Sequence, residues 1–470
     1  MDVNNSLFRQ DLKVVNIGLE LFGNTIAGQK VPIQHVTWRP PAAGDKRLAC
    51  LFEQHEEKIN AANERVIKIY NDAQPVLIGV KPAHTVLRGM MPNTILHAGP
   101  PIAWDDMCGP MQGAVLGAAR FEGLAASDEE TVALIRAGKI KLAPNHNYGS
   151  VGPMTGMITY NMPVFEVKNE TYGNMAYSTI NEGLGKVMRF GANDQEVIDR
   201  LMWFRDSLGP ALDKALTLAG GINLKVIMAQ ALAMGDEMHQ RNIAASSLFA
   251  RQICPYIADL DIDRAEKARI TKFVCGNDQF FLNLAMAAGK ATTDPAKGIK
   301  YSSIVTVMSR NGTNFGIKVA GLGEEWFVAP SNMPEGLYFP GFGPEDANPD
   351  MGDSAIIEVI GLGGITMAAS PAVVRFVGAG SQEDAIRYTR EMGEISYAKS
   401  AYFLLANMNF EGAPLGIDIR KVAETGILPV INTGMAHRKP GIGQIGAGVV
   451  KAPFGCFEKA LNAFADSLLV

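Results

Sequence analysis

The chain has 470 residues, 47% of them apolar and 19% charged, and a formal net charge of −5. That length implies about two to four domains with sizeable cores, and the charged share lies under the ~25% usual for soluble proteins. The negative balance, with no dense Lys/Arg cluster, excludes non-specific nucleic-acid binding.

The low supply of charge points to apolar surface covered by partners, in a homo-oligomer or a larger complex. The five cysteines are scattered, odd in number and without a CxxC pair, which fits a reduced compartment rather than a disulfide framework. No basic start followed by an apolar stretch opens the chain, and the longest uncharged apolar stretch, 359–374, contains three glycines and Pro371. It falls short of the ~20 residues of a membrane span. The expectation is a cytoplasmic protein with no membrane contact.

In chain order, residues 12–17 form a short apolar run, 19–27 a helix, 31–38 a strand, 56–73 a polar-apolar helix and 75–80 a buried strand. That order predicts a parallel three-stranded sheet, with a ligand near Gly18 and Arg39-Pro40-Pro41 at the strand ends. Residues 82–185 alternate Gly/Pro loops with short apolar runs. Between 186 and 297 the apolar residues recur at helical spacing and Pro is scarce. Beyond 304, β-branched runs predict strands at 304–307, 316–319, 356–360 and 373–377, helices at 383–392 and 399–408, and an amphipathic helix at 457–469. The fold class expected is an α+β multidomain protein. It comprises a small N-terminal parallel α/β unit (1–82), a glycine-rich α+β core domain (83–185 plus 298–470) and an inserted α-helical domain (186–297).

Candidate chemistry sits in polar loops rich in Gly and Pro. Gly permits close approach of backbone to a ligand, and Pro fixes direction. One such loop follows His97 and runs through Trp104, Asp105, Asp106 and Cys108. A second holds His146, a general base, a metal ligand or a structural residue. Asp236, His239 and Asn242 are three residues apart in a predicted helix and would share a face, so that Asp236 orients His239; a buried polar network is the other reading. Arg310, before the turn-forming Asn311-Gly312, is a carboxylate or phosphate clamp or a solvated side chain. Asp353, and the glycines Gly361, Gly363 and Gly364, bracket a predicted strand where successive N–H groups would form an anion nest. Gly441 to Gly446 matches GxGxxG but lacks the βαβ context of dinucleotide binding.

Several longer stretches carry a family likeness: Trp38-Arg39-Pro40-Pro41, Ile95-Leu96-His97-Ala98-Gly99-Pro100-Pro101-Ile102, Gly191-Ala192-Asn193-Asp194, Met234-Gly235-Asp236-Glu237, Gly352-Asp353-Ser354-Ala355 and Gly426-Ile427-Leu428-Pro429-Val430-Ile431-Asn432-Thr433. Over nearly its whole length the chain resembles the AllG (YahG/YlbE-like) family of oxamate carbamoyltransferase subunits. The resemblance implies a transferase subunit of purine (allantoin) catabolism that works with an FdrA-like subunit and a third, AllH-like subunit. The reaction implied converts oxalurate and phosphate to oxamate and carbamoyl phosphate, so the substrate is a small anion. No cofactor is implied with certainty, and a divalent metal such as Mg stays open; relatives often carry further Cys or His near His146, where this chain has Asn145, Asn147 and Tyr148. A non-catalytic partner-binding subunit and a subunit of a CoA-linked acyl ligase are the alternatives. For carbamoyl transfer the expected roles are proton shuttling by His146 or His239, and anion binding by Arg310, Asp353 and the Gly361–Gly364 loop. His97 or Asn311 would donate to the carbonyl oxygen.

Overall fold

The computed structural model describes residues 13–17, 20–36, 44–376 and 381–469. The ligand site expected at Gly18 and Arg39-Pro40-Pro41 lies outside the described residues. The protein is a mixed α+β structure with several small sheets. Strands Val14–Ile17 and Ile33–Val36 pair in parallel around helix Glu20–Gly28, as expected. The third strand of the predicted sheet does not join them. Pro75–Pro82 pairs antiparallel with Pro163–Asn169 and Ile222–Asn223, within the five-stranded order Ser150–Val151, Met175–Thr179, Pro163–Asn169, Pro75–Pro82, Ile222–Asn223. Element order alone cannot say which strand a buried run will choose as neighbour.

The stretch read as helical contains helices Gln195–Trp203, Gly209–Ala219, Leu224–Ala233, Ile243–Ala258, Arg264–Gly276 and Phe280–Thr293. Local chemistry sets their starts: the side chains of Asp194, Asn223 and Asp263 accept from the first free N–H groups. Phe280–Thr293 is buried on every side and packs against the five-stranded sheet, which explains its nearly continuous apolar sequence.

Beyond it, Val305–Asn311 and Asn314–Val319 form the hairpin that Asn311-Gly312 predicted, with Gly312 at φ +81°. This pair is the centre of an antiparallel four-stranded sheet whose edges are Phe327–Pro330 and Met351–Gly352. A three-stranded sheet of Glu335–Tyr338, Gln444–Lys451 and Val430–Ala436 stands beside it, and helix Phe454–Leu468 closes the chain.

Three expected elements are of the other type. Residues expected as a strand at 356–360 form the short helix Ile356–Val359, and those at 373–377 fall largely in helix Pro371–Phe376. The expected helix at 399–408 is instead the strand Ser396–Leu405, paired with Glu411–Ile417, followed by a helical turn. In the first case the run is buried on all faces, so its hydrophobicity carries no period to read. Among the described residues no helix is long and apolar enough to cross a membrane.

Candidate functional site

Strand Met351–Gly352 leads through the turn Asp353–Ala355 into helix Ile356–Val359. The turn depends on Gly352, whose φ of +122° is open only to glycine; a Cβ there would also stand 2.8 Å from the Met154 nitrogen. The fully buried Asp353 carboxylate anchors the turn to two distant loops and to strand Val305–Asn311. Oδ1 accepts from Gly99 N at 3.0 Å and Ser309 Oγ at 2.5 Å; Oδ2 accepts from Asn145 Nδ2 and Gly152 N, both at 2.9 Å. Burial still lifts its pKa above the ordinary carboxylate value. With every lone-pair direction used, Asp353 is an anchor for the loops rather than a substrate ligand.

Ser354, the next residue, meets His239. His239 Nε2 lies 2.8 Å from Ser354 Oγ, and Nδ1 lies 2.7 and 2.9 Å from the two carboxylate oxygens of Glu358. With Glu358 as the carboxylate and the imidazole neutral, Nδ1 carries the proton and Nε2 accepts from the serine hydroxyl. Ser354 Oγ in turn accepts from Arg310 Nη1 at 3.3 Å. Glu358 is held by two backbone donors, Gly364 N at 2.9 Å and Asn432 N at 3.2 Å. Ser354 and Glu358 are four apart across the helical turn, so both reach the same imidazole.

These side chains border space. Ser354 and His239 line a cavity of about 30 Å³, together with Arg189, Gln240, Thr433 and Gln444. Gln240, Gln279 and Gln444 also line an adjoining pocket of about 360 Å³, which Arg241 borders as well. Arg189 gives Nε and Nη2 to the Gly183 carbonyl at 3.1 and 2.7 Å.

His239 and Arg310 meet at Ser354, the residue after Asp353, but neither Arg310 nor Asp353 lines the cavity, and several of the expected roles change. Asp236 and His239 do not share a helix face: helix Leu224–Ala233 stops at a turn containing Gly235 (φ +93°), and both residues follow in the loop. Asp236 accepts from Arg241 Nε at 3.0 Å and Ala245 N at 2.9 Å, and the group that orients His239 is Glu358. The Arg310 fork is already taken. Its Nε and Nη2 meet Asp350 at 2.6 and 3.2 Å, and Nη1 meets Gly352 O at 2.7 Å, all fully buried. The glycine loop is a nest filled from within, since Gly364 N binds Glu358 and Gly363 N binds the Glu237 carbonyl at 2.8 Å, while Gly361 N binds the Glu358 carbonyl at 3.0 Å.

Asn311 uses both ends of its amide, Nδ2 on Pro100 O and Oδ1 on Thr313 N and Asn314 N. His97 is buried with Nδ1 against Ala98 O at 2.8 Å, and burial drives its pKa down to about 4. His146 Nε2 lies 3.4 Å from Asp353 Oδ1 and does not border the Ser354 cavity. Burial, then the positive charges of Lys290, Lys318 and Lys297, hold it well below its usual pKa. Cys108 has its thiol pKa raised by burial, which argues against a reactive thiolate. Among the described residues, no group of three or more His, Cys, Asp or Glu side chains is placed to hold a metal ion.

Sequence reasoning missed Ser354, Glu358 and Asp350 as chemical groups. The available signal was Glu358 itself, a lone carboxylate inside Ile356-Ile357-Glu358-Val359-Ile360. A buried charge demands a partner.

A mixed α+β protein with a serine–histidine–carboxylate array buried beneath a largely apolar pocket that holds a few polar groups is the class that this fold and site define. The model of a family described as oxamate carbamoyltransferase subunit AllG matches residues 140–354. Oxamate carbamoyltransferase subunit AllG of Escherichia coli (strain K12) is 50% identical over 409 residues, which cover 87% of this chain and 98% of the relative. YahG of the same strain is 43% identical over 469 residues, 99% of each chain. A crystal structure of a conserved protein of unknown function from Enterococcus faecalis V583 superposes with a TM-score of 0.86 at 45% identity, covering 88% of this chain and 99% of the other. The chain belongs to the AllG family of oxamate carbamoyltransferase subunits.

Proposed function

We propose that this subunit carries the reacting centre of a carbamoyltransferase, moving a carbamoyl group between a small ureido or amide acid and phosphate at His239. The observation that supports this most directly is the imidazole fixed at both nitrogens, Nδ1 on Glu358 and Nε2 on Ser354, at the wall of a cavity. Carbamoyl transfer passes through a tetrahedral centre and needs a positioned proton carrier and cationic or N–H donors for developing negative charge. His239 supplies the first. Arg310 and Arg189 bring positive charge to Ser354 and to the cavity wall, respectively. The adjoining pocket of about 360 Å³ is within the usual range for a small ligand. There the remaining donors of Arg241, which also pairs with Asp236, and the glutamine amides are the groups offered to a compact acid such as oxamate or oxalurate, with the Asp278 carboxylate on the same wall.

An FdrA-like and an AllH-like subunit complete the assembly in this reading. The pocket mouth carries exposed apolar side chains, Leu184, Ile243, Phe339 and Ile442, which favour a subunit seated over it. The same rim favours a second reading, in which the chain only binds and shapes its partners.

The test is co-expression with both partners, followed by phosphate release from carbamoyl phosphate in the presence of oxamate. His239→Gln in that complex is expected to lower turnover by about a hundredfold or more while co-purification is retained. A His239→Gln complex as active as wild type would support the partner-binding reading instead.

A further inference from the structure

We propose, building on that reading, that Ser354 is the nucleophile and that the reaction runs through a carbamoyl-serine. Four observations carry it. Ser354 sits at a strand–turn–helix junction, between Met351–Gly352 and Ile356–Val359, a place that presents a side chain at the tip of a sharp bend. Its hydroxyl donates to His239 Nε2 at 2.8 Å, and His239 donates from Nδ1 to Glu358, the geometry of an activated nucleophile with its base and orienting acid. Arg310 Nη1 stands 3.3 Å from the same oxygen, where it would favour the alkoxide over the hydroxyl. Ser354 borders the cavity that adjoins the pocket.

The steps balance. Ser354 Oγ attacks the carbonyl carbon of carbamoyl phosphate; the Oγ–C bond forms as its proton passes to His239 Nε2. The C–O bond to phosphate then breaks, and the leaving phosphate takes that proton. In the second half the amide nitrogen of the acceptor acid attacks the same carbon and gives a proton to His239. The C–Oγ bond breaks and the proton returns to Ser354. Run backwards, a ureido acid carbamoylates the serine, and phosphate removes the group. Neither direction changes an oxidation state.

The experiment uses the three-subunit complex with carbamoyl phosphate and labelled inorganic phosphate, without acceptor. Expected are incorporation of label into carbamoyl phosphate and, after acid quench, a mass increase of one carbamoyl group on the peptide containing Ser354, lost when oxamate is added. Ser354→Ala is expected to abolish exchange and lower net transfer on the order of a thousandfold or more, with the complex still assembling. Ser354→Cys is expected to retain a carbamoyl adduct, as a thiocarbamate, which separates loss of the nucleophile from loss of fold. Net transfer to oxamate with neither exchange nor adduct in the wild-type complex would overturn the covalent step and leave the functional reading standing. No net transfer at all would overturn both.

Discussion

Replacing Arg310 should damage stability as well as activity, because its guanidinium is fully buried against Asp350. Arg310→Met removes the bonds to Asp350 Oδ1 and Oδ2, to Gly352 O and to Ser354 Oγ. Asp350 keeps only Thr433 Oγ1 and its neighbour's N–H, at 2.7 and 2.9 Å. Removing one partner of a buried ion pair costs about 3–5 kcal/mol, because the remaining charge stays desolvated. With an unfolding entropy of about 2.1 cal/mol/K per residue, a chain of 470 residues unfolding as one unit would lose about 3–5 °C of Tm. The assay is a urea titration with thermal melts of Arg310→Met, Asp350→Asn and the double variant. The amide oxygen that Asp350→Asn introduces can still accept from Thr433 and Met351, so the double variant should be more stable than Arg310→Met alone. A single variant within about 1 kcal/mol of wild type, or a double variant no better than Arg310→Met, would refute the assignment of a desolvated pair.

Glu358→Gln should lower turnover of the complex on the order of a hundredfold or more, whereas Asp236→Asn, whose carboxylate holds Arg241 and Ala245, should stay within about threefold of wild type; paired kcat measurements decide. Gly363→Ala should depress kcat beyond any effect on Tm, because the residue has φ +58° and an added Cβ would overlap Glu358 Oε1. Burial lowers the His97 pKa from 6.5 to about 4. The unfolded chain therefore binds this proton first, and stability should fall as pH drops from about 6.5 to 4, by about 3 kcal/mol from this residue. His97→Gln should flatten that part of the stability–pH curve measured by urea titration. Burial raises Glu237 from 4.5 to about 7, so its contribution is full below about 4.5 and lost as pH rises toward 7. Glu237→Gln should remove that slope without a large loss of stability, because Asn432, whose Oδ1 has no partner, can turn its amide to match.

Much of the meeting place was legible in the glycine and proline loops. Gly99, Gly152 and Asp353 lie in three stretches singled out for close approach, and all three are joined by hydrogen bonds of the Asp353 carboxylate. Loop composition reports that backbone must come near something, but not whether that something is substrate or the protein's own carboxylate. At Gly364 it is Glu358. The helix–strand errors share a cause with the missed residues. Ile356 to Ile360 is buried all round, so neither its type nor the helical spacing that aligns Ser354 with Glu358 shows in its pattern. Asp236 misled for a different reason: three-residue spacing from His239 is meaningful only on a helix, and the turn at Gly235 ends it first.

Ser354 and His239 precede Glu358 in the chain and lie far ahead of Asn432, whose N–H helps hold that carboxylate. A polypeptide still emerging from the ribosome possesses the serine, the imidazole and Glu358 long before it possesses Asn432, the backbone donor that helps hold Glu358. The strand Val430–Ala436, which bears Asn432, is synthesised well after all three, and Val430 within it backs the glycine that grips Glu358. In the proposed mechanism competence arrives only once that strand is made, and products truncated ahead of it should be inert rather than feebly active.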